Sequence, residues 1–111
     1  MTRETLGLTE TVAIKGNDDE VEVLARVDTG ATRCSIDLAL AKTLGYTVKS
    51  SRLVKSANGS EKRETAEFTI TLRGTQYTVE CTLADRSNMT YKMLIGQNLM
   101  KDAQIMVDPL Q

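Results

Sequence analysis

The 111-residue sequence has no histidine and no tryptophan, one proline, two cysteines and four aromatic side chains, Tyr46, Phe68, Tyr77 and Tyr91. Each scarcity removes a class of chemistry. Without histidine, no serine or cysteine can be activated through an imidazole of the same chain. No serine has a lysine three positions later, so the Ser-x-x-Lys arrangement is missing as well. Cys34 and Cys81 lie too far apart in sequence to read as a disulfide framework or a metal-ligand pair, so reduced structural thiols are expected and no metal is. The glycines stand singly, at 7, 16, 30, 45, 59, 74 and 96. That spacing offers no glycine-rich phosphate cradle, and no nucleotide cofactor is expected.

Charge and hydropathy exclude more. A formal net charge of -1 with few aromatics argues against a nucleic-acid surface built from a basic stripe and stacking platforms. No apolar run approaches the roughly 18 residues of a membrane span. Residues 1 to 10 are polar and lack the apolar segment of a signal peptide. The expectation is a soluble cytoplasmic protein with neither nucleic acid nor membrane as partner, folded as one domain over residues 1–111.

What the sequence does contain is period-two alternation, the mark of strands with one buried face. It runs through Val21-Val23-Ala25-Val27, Ala66-Phe68-Ile70-Leu72 and Tyr77-Val79-Cys81-Leu83. The last two runs are joined by Arg73-Gly74-Thr75-Gln76 and should form an antiparallel hairpin. Thr11 to Lys15 and Glu20 to Val27 flank the polar turn Gly16-Asn17-Asp18-Asp19 and should form another. A short helix is expected from Asp37 to Leu44, capped by Asp37 and ended by Gly45. A second is expected over Gln97 to Asp102, after a compact strand Lys92-Met93-Leu94-Ile95 and the break at Gly96. A last strand, Gln104 to Val107, stops at Asp108-Pro109.

The segment Ala25-Arg26-Val27-Asp28-Thr29-Gly30-Ala31-Thr32 breaks its alternation at a carboxylate. An Asp-Thr-Gly directly after an apolar strand sets the aspartate on a tight turn, where glycine permits close backbone approach and threonine offers a hydroxyl to fix the loop. Alone, the tripeptide reads better as a strand ending in a turn with a solvated aspartate. A second feature, Met93-Leu94-Ile95-Gly96-Gln97-Asn98-Leu99, begins 65 residues after Asp28 and joins an apolar strand through glycine to a helix start.

Together the two segments resemble the retropepsin-like aspartic proteases, in which Asp-Thr-Gly-Ala is paired with a later hydrophobic-hydrophobic-Gly, then Arg-Asn or Arg-Asp and a short helix. Between them, Leu53-Val54-Lys55-Ser56-Ala57-Asn58-Gly59-Ser60 resembles that family's flap hairpin, with Asn58-Gly59 supplying positive φ at the tip. Met106-Val107-Asp108-Pro109 is similar to small prokaryotic members, some of which carry the label of ATP-dependent zinc proteases; nothing in the sequence supports zinc or ATP. The resemblance covers about Thr11 to Pro109.

The resemblance implies a mostly-β retropepsin-like acid protease barrel with a flap hairpin and one or two short helices. It also implies an aspartic endopeptidase in which two aspartates share one proton, since like charges roughly 3 Å apart do not both ionise cheaply. The chain has a single Asp-Thr-Gly, so a homodimer is implied, with both copies of Asp28 on its two-fold axis. By position, Thr29 would hydrogen-bond across that axis, while Gly30, Ala31 and Thr32 would face a peptide substrate. Ala57, Asn58, Gly59 and Ser60 would close over it, Ile95 would also contact it, and Ile95 and Gly96 would brace the loop. Retroviral members carry an acid at the position of Thr32 and an arginine at that of Gln97; both are neutral here. A catalytically inactive peptide-binding or dimerisation module is the competing reading. Lys49, Arg52, Lys55, Lys62 and Arg63, against the single Glu61, make residues 49–63 basic. That charge reads either as a guarded sheet edge or as a preference for acidic peptides.

Overall fold

The computed structural model describes residues 4–56 and 59–111. In chain order the elements are β1 (Glu4–Leu6), β2 (Thr9–Lys15), β3 (Glu20–Val27), β4 (Cys34–Asp37), α1 (Leu38–Leu44), β5 (Val48–Ser56), β6 (Gly59–Leu72), β7 (Thr75–Ala84), β8 (Met93–Ile95), α2 (Gln97–Asp102) and β9 (Ile105–Val107). The main sheet has the order β2-β3-β8-β4-β7-β6-β5, and an added β2–β6 pairing closes six of its strands into a barrel. β5 lies outside the ring, paired to β6 as the outer arm of a long hairpin. β1 and β9 form a separate parallel ribbon. No helix among the described residues is long and apolar enough to cross a membrane.

Alternation places the core. Val12, Ile14, Ala25, Val27, Phe68, Ile70, Leu72, Val79, Cys81 and Leu83 all point into the barrel, with Met93, Ile95 and Leu99 closing it near the second motif. The β2–β3 hairpin forms as its turn residues dictate, and that turn also serves α1. The amides of Asn17 and Asp18 donate to the carbonyls of Gly45 and Leu44, at 2.8 and 2.9 Å, satisfying groups a helix end leaves open. Asp37 caps the other end, accepting from the Leu40 amide at 3.2 Å.

Three details differ from the sequence reading. The β6–β7 link is only Arg73-Gly74, because both residues take positive φ (50° and 81°) as a two-residue hairpin turn needs. Thr75 and Gln76 therefore join the ladder opposite Leu72 and Thr71. β4 and β1 were not expected: each is too short to show a period, and β4 runs directly into α1. Yet β4 lies between β7 and β8 and ties the two halves of the barrel together.

At the root of the β5–β6 hairpin the fully buried Thr65 hydroxyl donates to Glu80 Oε2 at 2.7 Å and lies 2.8 Å from the Ser50 hydroxyl. Arg52 approaches the same carboxylate at 3.4 Å. The Thr65 hydrogen bond, helped by the charges of Arg52 and Lys49, holds the Glu80 carboxyl below its ordinary pKa against the opposing effect of desolvation. A carboxyl lowered on folding stabilises the fold fully above its unfolded pKa of about 4.3, and that stabilisation is lost as pH falls through the folded value. Glu80→Gln is thus expected to lower the melting temperature at neutral pH, with the gap to wild type closing as the pH is taken below about 4. Thermal melts across that range check it; a gap unchanged with pH would contradict the assignment.

Candidate active site

The turn after β3 is held by the segment that follows β8. The Asp28 amide donates to the Ile95 carbonyl (2.9 Å), the Gln97 amide to the Ala31 carbonyl (2.8 Å) and the Asn98 amide to the Thr32 carbonyl (3.2 Å). Side chains complete the clamp. Gln97 Nε2 donates to the Thr29 carbonyl at 2.8 Å, and Asn98 Oδ1 accepts from the Cys34 amide at 2.9 Å. Asn98 Nδ2 donates to the Glu80 carbonyl at 2.8 Å, which ties the clamp to β7. Of the two neighbours of Gly96, Ile95 therefore acts through its carbonyl, and Gln97 through both its backbone amide and its side chain.

Within the turn, the Gly30 amide donates to Asp28 Oδ1 at 2.9 Å. Oδ2 has no hydrogen-bond partner among the described residues. Asp28 is half-buried, while Thr29 and Gly30 are exposed, so the carboxylate stands at the protein surface on a rigid support. Thr29 also lines a concavity of about 420 Å³ with Gln97, Met100, Lys101, Gln104 and Ile105.

Behind the turn sit the two cysteines, far apart in sequence but register partners on the parallel strands β4 and β7. Both are free thiols. Cys34 Sγ accepts from the Gly96 amide at 3.3 Å, so Cys34 has a structural part in the clamp. Cys81 is held well above the ordinary thiol pKa, by contact with Cys34 and by burial.

On the other side of the turn a larger cleft, of about 530 Å³, runs between Ala31, Thr32 and Arg33, the hairpin residues Leu53 and Arg63, and the β7–β8 loop residues Arg86 and Met89. Ala31 and Thr32 thus line a cleft that the flap hairpin also walls. Gly59 opens β6 with φ 115° and Ser60 is exposed beside it; Ala57 and Asn58 lie outside the described residues. Ile95 is fully buried, so its side chain faces the core and what it offers the turn is its carbonyl. The neutral Thr32 and Gln97 do not substitute for an ion pair: Thr32 is exposed, and Gln97 spends its amide on Thr29.

The basic segment looks different in three dimensions. Lys49 pairs with Glu67, Arg52 with Glu80 and Arg63 with Glu61, each at 3.4 Å. Counting Glu61 alone missed Glu67 and Glu80 because cross-strand register, invisible in the linear sequence, brings them opposite. Arg33 and Arg86, which sequence reasoning passed over, face the cleft instead.

The RimB-like family model, described as retropepsin-like aspartic endopeptidase RimB, matches residues 37–111, about two-thirds of the chain. The chain belongs to the RimB-like family. The match takes in the flap hairpin, β8 and α2, and begins after Asp28. Solved structures agree on a retropepsin-like fold. A Legionella pneumophila protein of unknown function superposes with a TM-score of 0.72 at 20% identity, over 99% of this chain and 96% of that one. Simian foamy virus protease gives 0.63 at 18% identity over 84% and 91%. EIAV protease, in complex with an inhibitor, gives 0.65 at 17% over 87% and 88%. Among curated proteins, 59 residues are 44% identical to a probable alpha-L-glutamate ligase of Shewanella pealeana and 42% identical to one of Shewanella halifaxensis. The matched segment is 52% of this chain but only 13% of either ligase's length.

The clamp leaves no room at Gly96. A Cβ there would overlap the Arg33 carbonyl and lie 2.7 Å from the Cys34 amide, both backbone groups that cannot swing aside. Gly96→Ala is expected to cost about 2 kcal/mol or more, in the range of overpacking substitutions, and to displace the Asp28 turn. Urea denaturation and amide-exchange rates over residues 28–34 measure the two effects; unchanged stability would refute the close packing.

Proposed function

We propose that the chain is an aspartic endopeptidase, active as a homodimer, in which the Asp28 carboxylates of two copies share one proton and activate water. The observation that carries this reading is the surface position of Asp28, anchored through its amide and Oδ1 while Oδ2 stays open. One copy offers one such carboxylate, and the mechanism needs two. The deprotonated member takes a proton from water as its oxygen attacks the peptide carbonyl, and the protonated member donates to the carbonyl oxygen. Collapse of the tetrahedral diol, with a proton passed to the amide nitrogen, breaks the C–N bond without a covalent intermediate. Thr29 and Gly30 shape the turn, Ala31 and Thr32 meet the peptide, and the hairpin tip closes over it.

Peptides carrying acidic residues are the proposed substrates. Two observations support this: relatives of the matched segment are named for glutamate ligation, and the cleft beside Asp28 is lined by three arginines. A peptidase segment within a protein that adds glutamate would share that protein's substrate chemistry. The ligase activity itself has no counterpart in this reading.

Asp28→Asn is expected to keep the fold, because the amide preserves the shape of the Gly30 contact, and to abolish cleavage of a peptide library read by mass spectrometry. Cleavage persisting in a folded Asp28→Asn protein would exclude the aspartic mechanism. Specific activity of the wild type is also expected to fall on dilution below the dimer dissociation constant found by sedimentation. A monomer cleaving at a rate independent of concentration would exclude the two-chain site. Peptide binding with no cleavage at any concentration would favour the binding-module alternative.

A further inference from the structure

We propose that Arg86 and Arg63 form a built subsite for the side-chain carboxylate of a peptide bound in the cleft, and that they set its preference for acidic residues. The inference rests on the peptide-cleft reading above and deepens it. Arg86 is only 9% exposed. Its Nε donates to the Tyr91 carbonyl at 2.9 Å, and its backbone amide donates to Asp37 Oδ1 at 2.8 Å. The side chain is thus fixed along its stem with its guanidinium at the cleft wall. Neither Nη has an acceptor among the described residues.

Arg63 reaches the same cleft from the flap hairpin. Its Nη2 approaches Glu61 at 3.4 Å, a glutamate whose side chain is 64% exposed and so a weak partner. Its Nε is buried and has no hydrogen-bond partner among the described residues. A buried donor without an acceptor is costly, and a guanidinium without one more so. Such a group calls for an explanation, and an acceptor supplied by a ligand is one.

The charges around the cleft point the same way. Arg33, Arg63 and Arg86 line it, and among the described residues Asp85 is the one carboxylate in its lining, already engaged with the Ser87 amide at 3.0 Å. Burial lowers the Arg86 pKa, with Asp37 and Asp28 acting to raise it and Arg63 adding to the depression. Arg63 and Arg86 are thus like charges lining one cleft, with Arg86 almost fully buried. A carboxylate between them would relieve the repulsion and accept the open N–H groups, the planar fork geometry in which arginine exceeds lysine.

The test uses the full chain carrying Asp28→Asn, so that binding is read apart from cleavage. Two fluorescent peptides with both termini blocked, identical except for glutamate or glutamine at one position scanned along the sequence, are titrated by anisotropy at low and high salt. Blocking the termini separates a side-chain carboxylate from a chain-terminal one. At one position the glutamate peptide is expected to bind about tenfold tighter or more, as for charge-assisted hydrogen bonds, with the advantage reduced in high salt. Arg63→Gln and Arg86→Gln, checked for folding by circular dichroism, are each expected to erase most of it, and Arg63→Glu to favour the glutamine peptide. Arg63 sits on a surface hairpin, so its variants remain decisive if Arg86→Gln fails to fold. Equal binding of the two peptides at every position, or discrimination that survives in folded Arg63→Gln, would overturn the subsite. Discrimination without any cleavage by the wild type would overturn the peptidase reading and leave the subsite standing.

Discussion

Asp28 is held by a segment of chain that begins 65 residues later, and the rest of the site depends on that constraint. Strand β3 brings Asp28 to the end of the barrel, but the turn after it makes few contacts of its own. Its shape comes from Ile95, Gln97 and Asn98, which take up the Asp28 amide and the carbonyls of Thr29, Ala31 and Thr32. Gly96 must lie against the backbone of Arg33 and Cys34 for those bonds to form. The clamp is built chiefly from backbone groups and two neutral amide side chains, so it needs no buried ion pair. Burying a charge pair gains little net stability once desolvation is counted. The neutral Gln97 therefore suits a structural brace as well as an arginine would, and it leaves the position opposite it free to be the exposed Thr32.

The barrel and the cleft share a second economy of polar groups. Asp37 is almost fully buried, yet one of its oxygens caps α1 and the other receives the Arg86 amide. A single carboxylate thus ends β4, starts the helix and fixes the base of the β7–β8 loop from which Arg86 projects. Lys92 adds to this loop by donating to the carbonyls of Arg86 and Ser87, at 3.0 and 2.8 Å. A loop held at so many points presents its side chains to the cleft in one arrangement. That is the condition for recognition by position rather than by diffuse charge.

Much of the fold could be read from the sequence where the signal was local. Period-two alternation located β3, β6 and β7, turn residues located two hairpins, and Asp37 and Gly45 bounded α1. Gly59, expected at the hairpin tip, takes positive φ. The turn of Asp28 and the segment from Met93 to Leu99 were legible because each is an unusual local pattern. What stayed hidden was set by register. Cys34 and Cys81 became neighbours, Glu67 and Glu80 neutralised two of the basic residues, and Arg33 and Arg86 converged on the cleft from loops with no distinctive spacing. β4 was missed because four residues ending in a helix cap carry no periodicity. No sequence signal short of the strand order itself would have exposed these contacts.

The position of the family match makes sense in the same terms. It begins at residue 37 and so excludes Asp28, while including the brace, the hairpin and the arginines of the cleft. The excluded turn gets its geometry from the matched part: Ile95, Gln97 and Asn98 fix where a residue at position 28 must lie, whatever its side chain. The matched part therefore carries the brace, and the turn supplies the carboxylate for which a catalytic role is proposed. Turn and scaffold meet through backbone hydrogen bonds and the side chains of Gln97 and Asn98, so side chains outside that brace can change without dismantling it. Structures at 17 to 20% identity share this fold, and Arg63 and Arg86, to which the proposed preference is assigned, take no part in the brace.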